Sequence, residues 1–149
     1  MNYIDGTSKF LNYREDADGC GSVYAKMTGG AAVKNTGYLI GMGTSGWQAV
    51  ATSDLTITIA RSFLVGFAET AITTNSWGWF QVKGPISGAI ISTSTATVGH
   101  GVEWAVGKFD TSGAACLNRV CDFGVFTATG ASGTTHDLML FGKFVSNNT

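Results

Sequence analysis

The chain has 149 residues and a formal net charge of −1, and charged residues make up only 13% of it. A chain of this length fits one domain and can bury a real core. Its few cations argue against an electrostatic nucleic-acid binder, which needs clustered Lys and Arg to displace counterions from phosphates. No apolar run approaches the roughly 18 residues that cross a bilayer, and the N-terminus has no signal-peptide core. We therefore expect no nucleic-acid or membrane partner, and a protein that is made and used in a cytoplasm or exported without this kind of signal.

The charged residues are concentrated in residues 1–34, and residues 6–21 of this segment show no sustained helical or strand periodicity. A turn signal stands at Asp18-Gly19. These features predict an extended N-terminal arm, followed by a β domain over residues 35–149. Aromatic anchors in the arm suggest that it lies on a surface, either its own or a neighbour's: Tyr3, Phe10 and Tyr13.

Short strand-like segments and Gly/Ser/Thr/Asn turns alternate through the rest of the chain. Residues 55–60 (LTITIA) and residues 77–83 (WGWFQVK) show the period of two that is typical of half-buried strands. Further strands are predicted at residues 22–27, 37–42, 47–50, 62–70, 89–92, 103–106, 120–127 and 138–145. A spacing of roughly ten residues predicts an all-β fold, either a compact sandwich or a barrel. At most one short helix is expected, around residues 114–119.

The sequence also contains a weak internal similarity between two segments. Two pairs of glycines lie 58 positions apart, each in the order apolar strand, Thr/Ala/Gly turn, apolar strand, Gly: Gly66 with Gly124, and Gly84 with Gly142. This pattern leaves open a duplication, with repeats over residues 37–84 and 101–144. Two related β units would hide each other's apolar faces.

The chemically reactive residue types occur singly. His100 and His136 are predicted to lie on the surface or in turns, and His136 and Asp137 would face opposite sides of a strand. The sequence contains no recognisable zinc set. The acidic turn that begins at Asp16 lacks the Glu that a calcium loop needs, because Met27 stands at that position. We predict no catalytic residues, no metal, no cofactor and no enzymatic activity.

The cysteines are odd in number, and the sequence has no export signal, so we expect free thiols. They are Cys20, Cys116 and Cys121. A pairing of Cys116 with Cys121 across a tight turn stays open.

The strand WGWFQVK carries large rings on both faces, because Trp77 and Trp79 alternate with Phe80. Such a strand is either buried on both sides or presents one face to a ligand or a partner chain. Interfaces favour aromatic residues and exclude charge at their centre. The predicted interface residues are therefore the arm anchors together with this strand: Tyr3, Phe10, Tyr13, Trp77, Trp79 and Phe80.

The stretch LVGFAETAITTNSWGWFQVKG resembles a pattern in tailed-phage head decoration (capsid cement) proteins and related β-rich phage structural proteins. The residues that carry the resemblance are Val65, Gly66, Phe67, Ala68, Trp77, Gly78, Trp79, Phe80, Val82 and Gly84. The resemblance implies a small β domain, often a trimer, that sits on the major capsid protein and stabilises the head. It therefore implies a place on the capsid surface of a virion. The alternative is a carbohydrate- or receptor-binding module of a tail or fibre that uses Trp77, Trp79 or Trp104.

Overall fold

The computed structural model describes residues 12–43, 46–50, 62–90, 96–105, 108–111, 123–131, 135–142 and 145–146. This part of the chain is all-β and contains no helix, as the sequence predicts. Its strands are β1 (Asn12–Glu15), β2 (Gly21–Thr28), β3 (Gly37–Gly43), β4 (Gly46–Val50), β5 (Ser62–Ala68), β6 (Trp77–Ile90), β7 (Gly101–Ala105), β8 (Lys108–Thr111), β9 (Gly124–Phe126), β10 (Thr135–Phe141) and β11 (Val145–Ser146). It therefore also holds no helix long and apolar enough to cross a membrane.

Five strands close into a barrel in the order β2-β4-β3-β5-β6, and β6 pairs back onto β2. All these pairings are antiparallel except β2–β4, which is parallel. Closure leaves no free sheet edge within the five strands, because both edges of the sheet find partners. Alternate residues of each strand point into the barrel, where they form one apolar core. Its larger members are Val23, Met27, Ile40, Leu64, Phe80 and Val82.

The sheet continues beyond the barrel from β6 through β10, β9 and β7 to β8. A second core lies between this extension and the outer wall of the barrel. The wall contributes Leu39, Val50, Val65 and Phe67, and the extension contributes Ile86, Val102, Phe126, Leu138 and Leu140. The wall strands β3 and β5 are therefore buried on both faces, which explains their nearly continuous apolar sequence.

Strand β6 belongs to both parts of the fold. Its first half pairs with β2 and β5, and its second half pairs with β10. Gly84 separates the halves at a φ of 92°, a conformation that favours glycine. The Gln81 amide braces this irregular point by donating hydrogen bonds to the carbonyl oxygens of Lys83 and Pro85, at 3.2 and 2.8 Å. The sequence predicts separate strands at residues 77–83 and 89–92, whereas β6 is one strand that continues through Gly84-Pro85, a dipeptide more usual in turns.

The backbone hydrogen bonds of the barrel recur in the extension. Asn35 N donates to Ala68 O at 2.8 Å, and Gly99 N donates to Phe126 O at 2.9 Å. Glu69 N likewise donates to Trp79 O at 3.1 Å, as Thr127 N does to Asp137 O at 2.9 Å. The bridge between Ala32 and Ile72 is matched by the bridge between Ala96 and Gly130. These contacts relate β5 and β6 to β9 and β10 at the 58-residue spacing of the paired glycines.

Strand pairing extends the same correspondence to β2 and the second half of β6. Lys26 faces Trp77 and Ala25 faces Gly78 across the β2–β6 ladder. Ile90 faces Thr135 and Ala89 faces His136 at the matching places of the β6–β10 ladder. We call β2 to the first half of β6 the first unit, and the second half of β6 to β10 the second unit.

One prediction needs correction, and two others fall outside the described residues. The described part of the predicted arm, residues 12–34, contains β1 and β2, and Val23 and Met27 of β2 are fully buried in the barrel. β2 coincides with the strand predicted at residues 22–27, but it is a strand of the barrel and not part of an arm outside the β domain. The strand predicted at residues 55–60 and the helix predicted at residues 114–119 lie outside the described residues.

Candidate functional site

The outer wall of the barrel carries three cross-strand rows on β1, β2, β4 and β6. Register places Gln48, Lys26 and Trp77 side by side, then Asn12, Tyr24 and Trp79, then Arg14, Ser22 and Gln81. On β2 and β6 these residues alternate with buried residues, and all nine but the buried Ser22 are half-buried. We call these nine residues the aromatic face.

The Tyr24 ring contacts both indoles of the aromatic face. Tyr24 stacks on Trp77 with centroids 5.6 Å apart and planes 18° apart, and it meets Trp79 at 5.0 Å and 53°. The Arg14 guanidinium lies over the opposite end of this group, 4.3 Å from the centroid of the Trp79 ring. Ring contacts and a cation over an indole each contribute of order 1 kcal/mol, so the side chains hold one another in place.

Glu69, in the loop between β5 and β6, ties the face together. Arg14 Nη2 and Ser22 Oγ both donate to its carboxylate, one to each oxygen. The Arg14 and Glu69 side chains are 40% and 28% exposed, so solvent screens much of the ion pair. The contact nevertheless joins β1, β2 and the β5–β6 loop, and it fixes the position of Arg14 over Trp79.

The end of the aromatic face at Lys26 is different. Among the described residues, the Lys26 ammonium has no ion pair or hydrogen bond. Trp77 contacts one ring, that of Tyr24, whereas Trp79 contacts both a ring and a cation. This end therefore offers an indole face and a cation that the described residues do not use.

A smaller charged group borders the face near Gly84. Lys83 Nζ lies 2.9 Å from Glu15 Oε1, and the Tyr13 hydroxyl donates to Glu15 Oε2 at 3.0 Å. The hydrogen bond from Lys83 lowers the pKa of Glu15, and the same contact raises the pKa of Lys83. The pKa of Tyr13 is raised, first by partial desolvation and then by the hydrogen bond to Glu15.

A separate apolar surface lies on the second unit. Pro85, Met139 and Val125 stand opposite one another on β6, β10 and β9, and Phe141 lies two residues beyond Met139. Met139 and Phe141 are 37% and 46% exposed, which is high for large apolar side chains in a sheet. We call these four residues the apolar row.

The structure places the predicted interface residues in different environments. Trp77 and Trp79 lie on the aromatic face and Tyr13 is exposed beside Glu15, whereas Phe80 is fully buried in the barrel and belongs to no surface. Tyr3 and Phe10 lie outside the described residues, as does the side chain of Trp104. Sequence reasoning missed the contributions of Tyr24, Arg14 and Glu69. The alternation of Tyr24 with Val23 and Ala25 is a usable signal, but the contacts with Glu69 depend on folding.

The histidines and the acidic turn form no reactive set in the described part of the chain. His100 closes a tight turn through its N–H to Thr97 O, at 3.0 Å, as predicted. The prediction for His136 is wrong, because it is 3% exposed and packs edge-on against Phe126 with centroids 5.6 Å apart. Asp137 faces the opposite side, where it accepts hydrogen bonds from Ser87 Oγ and Gly88 N, both at 3.0 Å.

Other candidate ligands are also scattered. Cys20 is a free, half-buried thiol, and Cys116 and Cys121 lie outside the described residues. Where the structure describes the chain, no three His, Cys, Asp or Glu side chains lie close enough together to hold a metal ion.

Comparison with solved structures identifies a related fold. The chain is similar to the head fiber gp8.5 N base of bacteriophage phi29, with a TM-score of 0.52 and 11% sequence identity. The match covers 86% of this chain and 98% of that chain. The two chains share a fold. A scan against protein-family models and a search of curated proteins found no match.

Proposed function

We propose that this chain is a non-catalytic structural protein of a phage virion that decorates the surface of the head. The observation that carries the proposal is the similarity of almost its whole fold to the phi29 head fiber base. The resemblance of residues 64–84 to head decoration proteins supports the same role. The proposed partners are the major capsid protein and further copies of this chain, in a trimer.

The apolar row is the proposed contact with the capsid protein. Its bordering charges are already satisfied within the chain, because Lys83 pairs with Glu15 and Asp137 accepts two hydrogen bonds. The centre of the row thus offers apolar area without a charge that must be desolvated, which is typical of interface centres.

Reconstitution on heads tests this role. Heads prepared without this protein are incubated with the purified chain, sedimented, and heated while DNA release is followed. We expect saturable co-sedimentation and release of DNA at a higher temperature. If the chain stays in the supernatant and the release temperature is unchanged, the proposal is wrong. Native mass measured on the same sample tests the trimer.

A matched pair of variants locates the contact. Met139→Lys places a charge in the centre of the apolar row, and because Met139 is exposed, the fold should tolerate it. We expect at least roughly tenfold weaker binding to heads, since an unpaired charge would be buried at the interface. Val33→Lys, which is 57% exposed in the loop between β2 and β3 and outside the apolar row, is the control and should bind as the unchanged chain does. Equal binding by both variants would show that the contact with heads lies outside the apolar row.

A further inference from the structure

The end of the aromatic face at Trp77 combines three kinds of side chain on three adjacent strands. Gln48, Lys26 and Trp77 stand opposite one another on β4, β2 and β6 and point outward. Neighbouring strands are about 4.8 Å apart, so this row extends about 10 Å across the sheet. It presents an indole, an ammonium and, at the far end, an amide that leans over Gly43 of β3, and the Asn12–Tyr24–Trp79 row lies beside it.

The fold does not require these side chains. In the second unit, the positions that match Lys26 and Trp77 are Ile90 and Thr135, and they make the same strand pairing. The position that matches Trp79 is Asp137, whose carboxylate accepts hydrogen bonds from the β6 residues opposite it. Two units with one backbone plan therefore carry different outer surfaces, and the rings are an addition of the first unit.

We propose that the aromatic face binds a pyranose oligosaccharide, with one sugar ring packed on the indole of Trp77. The C–H face of a pyranose ring is apolar and flat, and it packs on an indole as other apolar surfaces do. The sugar hydroxyls accept hydrogen bonds from the Lys26 ammonium and exchange them with the Gln48 amide. A row of about 10 Å is wider than one sugar ring, so the ligand is an oligosaccharide.

The composition of the face favours a sugar over an apolar protein surface. A protein partner that covered Lys26 without pairing it would have to desolvate an ammonium, which is costly. The hydroxyls of a sugar accept hydrogen bonds from the Lys26 ammonium and leave part of it in contact with water. The rings are also held in advance, since Tyr24 supports Trp77 and Arg14 supports Trp79, so binding orders few side chains.

A binding experiment on the full chain tests the site. The probes are hexamers of glucose, N-acetylglucosamine, mannose, galactose and glucuronic acid, titrated while tryptophan fluorescence and heat of binding are recorded. We expect saturable binding of at least one hexamer. Trp77→Ala should weaken it at least roughly tenfold, because the stacking surface is lost. Lys26→Met keeps the apolar stem but removes the ammonium, and it should weaken binding several-fold.

Controls separate loss of the site from loss of the fold. Thr135→Ala changes the matching position of the second unit and should leave the affinity unchanged. Circular dichroism and thermal unfolding establish that each variant is folded, and Lys26→Met provides the test if Trp77→Ala does not fold. The inference is overturned if no hexamer binds the unchanged chain, or if both variants bind as tightly as Thr135→Ala. This experiment tests the sugar site independently of the proposed attachment to heads, because neither variant changes the apolar row.

Discussion

Ile72 fills the space directly above Gly78 inside the barrel, and a β-carbon on Gly78 would collide with the Cδ1 and Cγ1 atoms of Ile72. The matching pair in the second unit is Gly130 and His136, in which the large and small residues have exchanged places. The histidine is the large member of its pair, and its ring packs edge-on against Phe126.

Gly78→Ala should therefore destabilise the barrel, although alanine usually suits a strand better than glycine. We expect a loss of about 1–3 kcal/mol in the free energy of unfolding, the usual cost of overpacking. Urea unfolding measures it. In an Ile72→Ala background the same substitution should cost less than half as much, because the clash is gone. Costs that simply add would show that the two residues do not compete.

His136→Phe should stabilise the second core. Neither ring nitrogen of His136 has a hydrogen-bond partner among the described residues, although the side chain is buried. Replacing this unpaired polar ring with an apolar one removes a desolvation cost, and we expect a gain of about 1 kcal/mol in chemical denaturation. His100→Phe, in a half-buried turn, serves as the control with little change. A clear loss of stability for His136→Phe would contradict the prediction.

Glu69→Ala should loosen β1. The substitution removes the carboxylate that both Arg14 and Ser22 contact, and Arg14 is the residue of β1 that lies over Trp79. Because the ion pair is partly exposed, the global cost should be small, about 1 kcal/mol or less. Amide hydrogen exchange is the sharper measurement, and it should become faster in β1 than in β3. Thr70→Ala, on the neighbouring exposed residue, should leave β1 protection unchanged.

Stability should fall in acid partly through Glu15. The hydrogen bond from Lys83 lowers the pKa of Glu15, so its contribution is present above the ordinary glutamate pKa of about 4.3 and is lost as the pH falls through the lowered value. Lys83 has the opposite sign: its pKa is raised, so its contribution is lost only at strongly alkaline pH. Glu15→Gln should therefore unfold at a lower temperature than the unchanged chain at pH 7 and at the same temperature near pH 2.

Thermal unfolding between pH 2 and pH 7 checks the sign. Asp16→Asn, which removes a carboxylate from the adjacent turn, is the matched control and should follow the unchanged chain. A difference between Glu15→Gln and the unchanged chain that persists at the acid end would show that the hydrogen bond to Lys83 is not its source.

The strand alternation of WGWFQVK could be predicted from the sequence because one side of β6 faces a core and the other does not. The predicted interface failed at Phe80 for the same reason: alternation says that two faces differ, but it does not say which one is inside. The pairing of Tyr24 with Trp79 could not be predicted from the sequence, since the register between strands that are distant in sequence is set by the closed barrel. The half-buried state of Trp77 and Trp79 lies between the two alternatives that the sequence left open.

The structure of the second unit was harder to predict from the sequence than that of the first. The paired glycines indicated related segments, but the matching hydrogen bonds join residues with no chemical likeness, such as Glu69 and Thr127. The backbone geometry is repeated while the side chains differ, so a comparison of the amino-acid sequences of the two units detects only the paired glycines. The burial of His136 depends on tertiary packing, including the contact with Phe126, which no local pattern contains.

Because β6 is the last strand of one unit and the first strand of the next, the two units cannot come apart without breaking a continuous strand of 14 residues. The chain should respond to load as one body: a force applied to either unit passes along β6, and the hydrogen bonds on both sides of Gly84 resist it together. In pulling experiments the described strands should yield in a single event. If the chain is attached to a phage head as proposed, strain at one attachment would be spread along β6 across both cores.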